Sequence, residues 1–327
     1  MLMLSRTDVA QLLTMADALA AVEEGFRQLA LGNVMMPQRA ATTIAPANGL
    51  HLSMPAFVGG AVGALTVKIV TVYGDNMPTY GLPTIQGLLL VHDAQTGSVL
   101  AMMDAEHLTA TRTGAASGVA TQYLARQDAT TVTLFGAGAL APSQLAAMCA
   151  VRPIRRAYVV TRSGEKDGPF CAQMSAELDI EVIASRNTQQ AVEQADIICT
   201  ATNSQTPLFS SDWVRPGTHI NAVGAYTRTM RELDTATIQR SHVFVDHHPA
   251  AQTEAGDIVI PIAEQALTYA HVRGSLGEVI TGQVRGRTDD AEITVFKSVG
   301  LAMQDTVTAA RLYAKAVALG SGIHVDL

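Results

Sequence analysis

Three groups of residues in this chain have the types and spacing for chemistry. The first is Gly136-Ala137-Gly138, which directly follows a run of β-branched and large apolar residues, Thr131 to Phe135. Such a run reads as a buried strand, and the Ala-rich stretch after the glycines reads as a helix. Together they form the strand–glycine turn–helix of a dinucleotide-binding βαβ unit. Gly136 permits the tight turn and Gly138 lets the backbone approach a pyrophosphate. Ala141 is small enough for the helix to lie close on the strand, and the free N–H groups at the helix start face the phosphates. The helical run itself, AAMCAV, is expected to begin just after Leu145. Taken alone, the same pattern also fits an ordinary tight turn.

The second group is Thr161-Arg162-Ser163, which ends the strand RRAYVV about 25 residues past Gly136, where the ribose-binding residue is expected. NAD-preferring folds place an acid there to accept from the ribose 2′-hydroxyl. A guanidinium flanked by two hydroxyls suits a phosphate instead, so these residues favour NADPH, with NADH possible but less favoured. The third group is Arg39, Lys68 and Arg112, cations from three separate elements. Lys68 lies inside ALTVKIVTVY, and an unpartnered buried ammonium is costly. Arg112 lies in a segment of Thr, Ala and Gly with few acids near it in sequence. Each either makes a structural ion pair, with Asp104 or Glu106 as candidate acids, or belongs to an anion site. A planar carboxylate suits bidentate arginine binding.

Other polar residues carry less. His51 has no companion ligand and reads as structural. His247-His248 beside Asp246 is a poor metal site, because adjacent histidines at a strand end point to opposite faces; no metal is expected. Glu254 and Asp257 read as loop or cap residues. The three cysteines, Cys149, Cys171 and Cys199, are odd in number and lack a C-x-x-C pair, so no disulfide is expected and the cytoplasm is the natural compartment.

The elements that must position these groups fit a two-domain chain. Its 327 residues are 48% hydrophobic and 16% charged, with a net charge of −7, which leaves no electrostatic footprint for nucleic acid or an anionic membrane. Arg6 to Leu31 carries two helical patterns, the first capped by Ser5 or Thr7 and the second by Asp17. Strand patterns follow at RAATTIA, GLHLSMPAFV, Ala64 to Tyr73, Ile85 to Asp93 and Ser98 to Met103. A long helix over Asp104 to Leu124 leads into strands at Arg156–Thr161, Ile180–Ala184, Ile197–Thr200, His219–Val223 and His242–Val245, alternating with helices. That rhythm belongs to a parallel, doubly wound sheet. Thr294 to Leu319 reads as one helix stopped by Gly320.

With these motifs in order, the chain resembles the ornithine cyclodeaminase/mu-crystallin family over nearly its whole length. The markers are LTVKIV with Lys68, TATRTGAAS with Arg112, GAGALA, ADIICTAT, AVGAYTRTMRELD, EAGDI and TVFKSVGLAMQD. The resemblance implies an α/β fold: a Rossmann doubly wound domain plus an N-terminal α+β domain for substrate and dimerisation, which also receives the C-terminal helix. It implies residues 1–115 with 306–327 for the latter, 116–305 for the former, a homodimer, and an active site in the cleft between the domains. Arg39, Lys68 and Arg112 then surround a substrate carboxylate, Lys68 and Arg112 carry the catalytic weight, and Met54 lines an apolar wall. Gly136, Ala137, Gly138, Ala139, Leu140, Thr161, Arg162, Ser163, Thr200, Ala201, Thr202, Val223 and Gly224 would hold the cofactor, with Ser298 and Val299 beside the nicotinamide. Cyclodeaminases carry an Asp where this chain has Tyr226, and a phenol with an ordinary pKa near 10 cannot be that anionic partner. The resemblance is therefore closest to the ketimine reductases. It implies NADPH-dependent reduction of a small cyclic imino acid, Δ1-pyrroline-2-carboxylate or its six-membered homologue. The other activities within the family are cyclodeaminase, alanine dehydrogenase and a non-catalytic NADPH-gated binding protein.

Overall fold

The computed structural model describes residues 1–165 and 167–326, and the chain divides into two compact units, Met1–Arg112 with Leu301–Leu327, and Thr113–Gly300. The division falls inside the helix Ala105–Leu124. Among the described residues no helix is long and apolar enough to cross a membrane.

The first unit is built on β1 (Leu2–Leu4), β2 (Val34–Met35), β3 (Ala40–Ile44), β4 (Gly49–Val58), β5 (Ala64–Tyr73), β6 (Ile85–His92) and β7 (Val99–Asp104). With the short strand Ile323–His324 they form one sheet, ordered Ile323–His324, β1, β7, β6, β5, β4, β2, with β3 also on β4; only β1 and β7 run parallel. Alternation on β5 places Ala64, Thr66, Lys68 and Val70 on the buried face. The helices Met15–Ala30 and Ala302–Leu319 pack on one another, and both pack on β4. The second also packs on β5. Thr14 rather than Asp17 caps Met15–Ala30, its hydroxyl accepting from the Asp17 N–H. Gly320, left-handed at φ 63, ends the C-terminal helix.

The second unit holds β8 (Thr131–Phe135), β9 (Arg156–Val160), β10 (Glu181–Ala184), β11 (Ile197–Thr200), β12 (His219–Ala222), β13 (His242–Val245), β14 (Val272–Ser275) and β15 (Thr294–Lys297). All eight are parallel, in the order β10-β9-β8-β11-β12-β15-β13-β14. The order reverses direction at β8, between β9 and β11, which is where a doubly wound sheet binds its ligand. Phe135, Ile198, Ile220, Val243 and Val295 share one buried core. Two sequence expectations fail here. Thr294–Lys297 is a strand, not the start of a helix, because its β-branched and aromatic residues are buried on both faces between β12 and β13. The helix after the glycine turn begins at Ala141, not after Leu145, with Pro142 in the first turn where a missing N–H costs nothing.

Candidate functional site

In the first unit, strand pleat and helix periodicity bring two of the three expected cations, Lys68 and Arg112, to one buried acid. Lys68 Nζ lies 2.7 Å from Asp305 Oδ2 and Arg112 Nε donates to Asp305 Oδ1 at 2.9 Å. Lys68, Arg112 and Asp305 are 3%, 5% and 1% exposed. Arg112 Nη1 also donates to Gln304 Oε1 at 2.6 Å. The acids named from sequence proximity are engaged elsewhere. Glu106 pairs with Arg6 at 2.9 Å, and Asp104 accepts from the His107 N–H. One carboxylate thus faces two cations, leaving a net positive charge in a buried setting. Burial lowers the Lys68 ammonium to about 8, with Asp305 opposing that shift and the Arg112 and Arg39 charges adding to it. Arg39 is half-buried. Met54 stands directly opposite Lys68 across the β4–β5 ladder, in an apolar cluster with Leu52, Ala56, Val70 and Ala302. His51, three residues earlier on the same strand, belongs to the other face.

In the second unit, the carboxyl ends of the strands carry the nucleotide candidates. Gly136 sits at φ +102 with its open side against the Ala201 carbonyl, so only glycine suits that turn. A side chain at Gly138 would meet nothing, so the turn presents bare backbone to open space, as a pyrophosphate requires. After β9, Arg162 and Ser163 are exposed and Thr161 donates to Asp167 Oδ1 at 2.5 Å. The ends of β11 and β12 are tied by an acid that lies in the AVGAYTRTMRELD segment and was not singled out from the sequence. Glu232, fully buried, accepts from Thr200 Oγ1 (2.9 Å), Thr202 N and Oγ1 (both 2.7 Å), Gly224 N (2.9 Å) and Ala225 N (3.0 Å). Burial raises the Glu232 carboxyl above the usual range, with the Lys297 charge opposing it. A Cβ at Gly224 would collide with the Thr202 backbone and the Glu232 carboxylate.

Asp257 is no loop residue. It is fully buried at the start of the helix Gly256–Ala263, pairs with Lys297 at 2.8 Å and accepts from the Glu232 and Leu233 N–H groups. Asp246, at the end of β13, accepts from Ser298 Oγ (2.8 Å), Val299 N (2.8 Å) and Gly300 N (3.0 Å), which fixes the segment expected beside the nicotinamide. His247 and His248 lie beyond the strand, as cap and first residue of the helix His248–Glu254; His248 bridges Tyr269 and Glu278. Burial pushes the Cys149 and Cys199 thiols up to about 11 and about 12, which leaves them without nucleophilic character at neutral pH. Asp246 and Asp305 each follow an apolar run, Asp305 after an intervening Gln304, the one local hint of a buried acid, whereas Glu232 lies between Arg231 and Leu233-Asp234 and has none.

The whole chain, both units included, matches known proteins in sequence and fold. The family model described as the ornithine cyclodeaminase/mu-crystallin family matches residues 1–320. The chain belongs to that family. Among its relatives, a Δ1-pyrroline-2-carboxylate reductase of Bacillus cereus is 36% identical over 327 residues, covering all of both chains. A solved Δ1-pyrroline-2-carboxylate reductase of Thermococcus litoralis, in complex with NADH and L-proline, is 40% identical with a TM-score of 0.96, over 99% of this chain and 100% of that one. An archaeal alanine dehydrogenase dimer with bound NAD is 33% identical with a TM-score of 0.93, over 100% and 99% of the two chains. The chain is a family oxidoreductase that uses a nicotinamide cofactor and acts at a carbon–nitrogen double bond, with a Rossmann-type parallel sheet and a separate, largely antiparallel sheet.

Proposed function

We propose that the protein reduces a cyclic ketimine carboxylate, Δ1-pyrroline-2-carboxylate to L-proline, with NADPH as the preferred hydride donor. The observation that carries the substrate class is the Lys68–Asp305–Arg112 arrangement, a buried cluster with one cation in excess. A buried excess charge is costly, and a carboxylate ligand would offset that cost. Lys68 and Arg112 hold the carboxylate, Arg39 adds charge, and Met54 forms an apolar wall for the ring. Asp305 and Gln304 fix the Arg112 fork in direction, so that the anion is oriented as well as bound. The nicotinamide supplies the hydride when bound. The residues at the ends of β8, β11 and β12 fit the dinucleotide: bare backbone at Gly138, and Gly224 held against Thr202. Residues 136–140, 161–163, 200–202, 223–224 and 298–299 are its proposed contacts.

The NADPH preference rests on Arg162 and on the lack of an acid at the end of β9. The relative from Thermococcus litoralis was solved with NADH, so the two cofactors must be compared directly. Two copies of the chain assemble as a homodimer, in line with the dimeric archaeal relative. Loss of NADPH absorbance on adding the five-membered imino acid tests the substrate. A protein inert to the five- and six-membered imino acids, yet active with pyruvate and ammonia, would instead be an amino-acid dehydrogenase. The similarity to alanine dehydrogenase favours that as the second reading.

A further inference from the structure

We infer that Arg186 is a second guanidinium of the 2′-phosphate site, acting with Arg162 to select NADPH; this rests on the cofactor reading of the loop after β9. Arg186 lies two residues beyond β10, the parallel neighbour of β9, in a register that pairs Ala184 with Val159. It therefore stands at the same carboxyl edge of the sheet as Thr161-Arg162-Ser163. The Arg186 guanidinium lies directly on Gly164, in the loop that carries Arg162 and Ser163. Any Cβ at Gly164 would collide with its planar group, and Gly164 is left-handed at φ +75. That loop is closed on itself: the Gly164 N–H donates to Thr161 Oγ1 at 3.0 Å, and Thr161 donates to Asp167.

Asp167 gives the second observation. It is 1% exposed, and its Oδ2 has no hydrogen-bond partner among the described residues. That oxygen lies 3.7 Å from Arg186 Nη1, while the Arg186 side chain is 62% exposed. A buried carboxylate thus attracts Arg186 back across the loop without occupying its hydrogen-bonding fork. The planar fork remains largely exposed over the loop that also carries the exposed Arg162, an arrangement that a phosphomonoester dianion would bridge. NADH carries a neutral hydroxyl at that position, so Arg186 contributes to one cofactor only.

The test compares wild type, Arg162→Ala, Arg186→Ala and Arg186→Gln by steady-state kinetics with NADPH and with NADH. It adds inhibition by adenosine 2′,5′-bisphosphate against 5′-AMP. Loss of one charge-assisted contact at an exposed site predicts about a tenfold rise in the NADPH KM for both Arg186 variants. The NADH KM and the 5′-AMP inhibition should stay within about twofold, a split that a merely structural role would not produce. Equal changes for both cofactors, or none, would overturn the role of Arg186, even with the Arg162→Ala preference lost. A wild type that does not discriminate between the cofactors would remove the NADPH reading and Arg186 with it.

Discussion

At the scale of single residues, Lys68 sets the pH behaviour. Its ammonium is brought down to about 8 by burial, reinforced by the Arg112 and Arg39 charges and opposed by Asp305. The charged form binds an anion, and it is lost as pH rises through about 8. kcat/KM for the imino acid, which reports the free enzyme, should therefore be level below that pH and fall about tenfold per unit above it. NADPH binding measured alone should not follow that limb. Removing the acid that favours the charged form, in Asp305→Asn, should move the limb to lower pH; an unmoved limb would show that another group titrates. Lys68→Met should raise the imino-acid KM by about 30-fold, the effect of losing one buried charged contact to the substrate carboxylate while Asp305 keeps Arg112 as its partner. The cations were legible from residue type, since a lysine inside an apolar strand asks for a partner. Asp305 was not, because it lies 193 residues from Arg112 in the chain and meets it through the tertiary fold.

Elements were legible where alternation, or a short apolar run bounded by turn residues, marks a strand, as at Ile197–Thr200 and His242–Val245. β4 was found residue for residue because alternation over ten positions has one interpretation. β15 was missed because its short apolar run leads after four residues into the helix Ala302–Leu319 and reads with it, and β14, at the edge of the sheet, because Val-Arg-Gly-Ser holds a single β-former. The glycine turn was legible because its backbone conformation demands glycine. The Glu232 clamp was not, because its five donors come from two strand ends and their following loops, 7 to 32 residues away. That clamp belongs to this scale, since it holds elements rather than ligand. Glu232→Gln replaces one acceptor oxygen by an NH2 group facing N–H and O–H donors, leaving them unpaired in a buried site. The expected cost is about 2 kcal/mol or more. That corresponds to a fall in melting temperature of about 4–8 °C for a unit of this size. Weaker cofactor binding in a fluorescence titration should accompany it. An unchanged melting curve would show that the strand ends are held by the sheet alone.

At the scale of the whole molecule, the first unit's sheet has one face covered by helices and, among the described residues of that unit, one that is not. On the uncovered face Ile69 and Leu88 stand opposite each other on β5 and β6, 39% and 48% exposed, with Val67, Leu90 and Met102 half-buried around them. Adjacent large apolar groups at the centre of a sheet face form the kind of patch that soluble chains cover with a partner. A sheet face meeting its own copy about a two-fold axis places like against like, which suits an apolar surface and would not suit a charged one. The double variant Ile69→Asp/Leu88→Asp sets carboxylates against one another at the centre of that contact. By light scattering it should have half the wild-type mass, with near-wild-type far-UV circular dichroism. Neither substitution touches the helix-covered face that carries Lys68, so a monomer that keeps imino-acid reduction would show each copy to be sufficient for catalysis. A variant with the wild-type mass would require the dimer to form through a different surface.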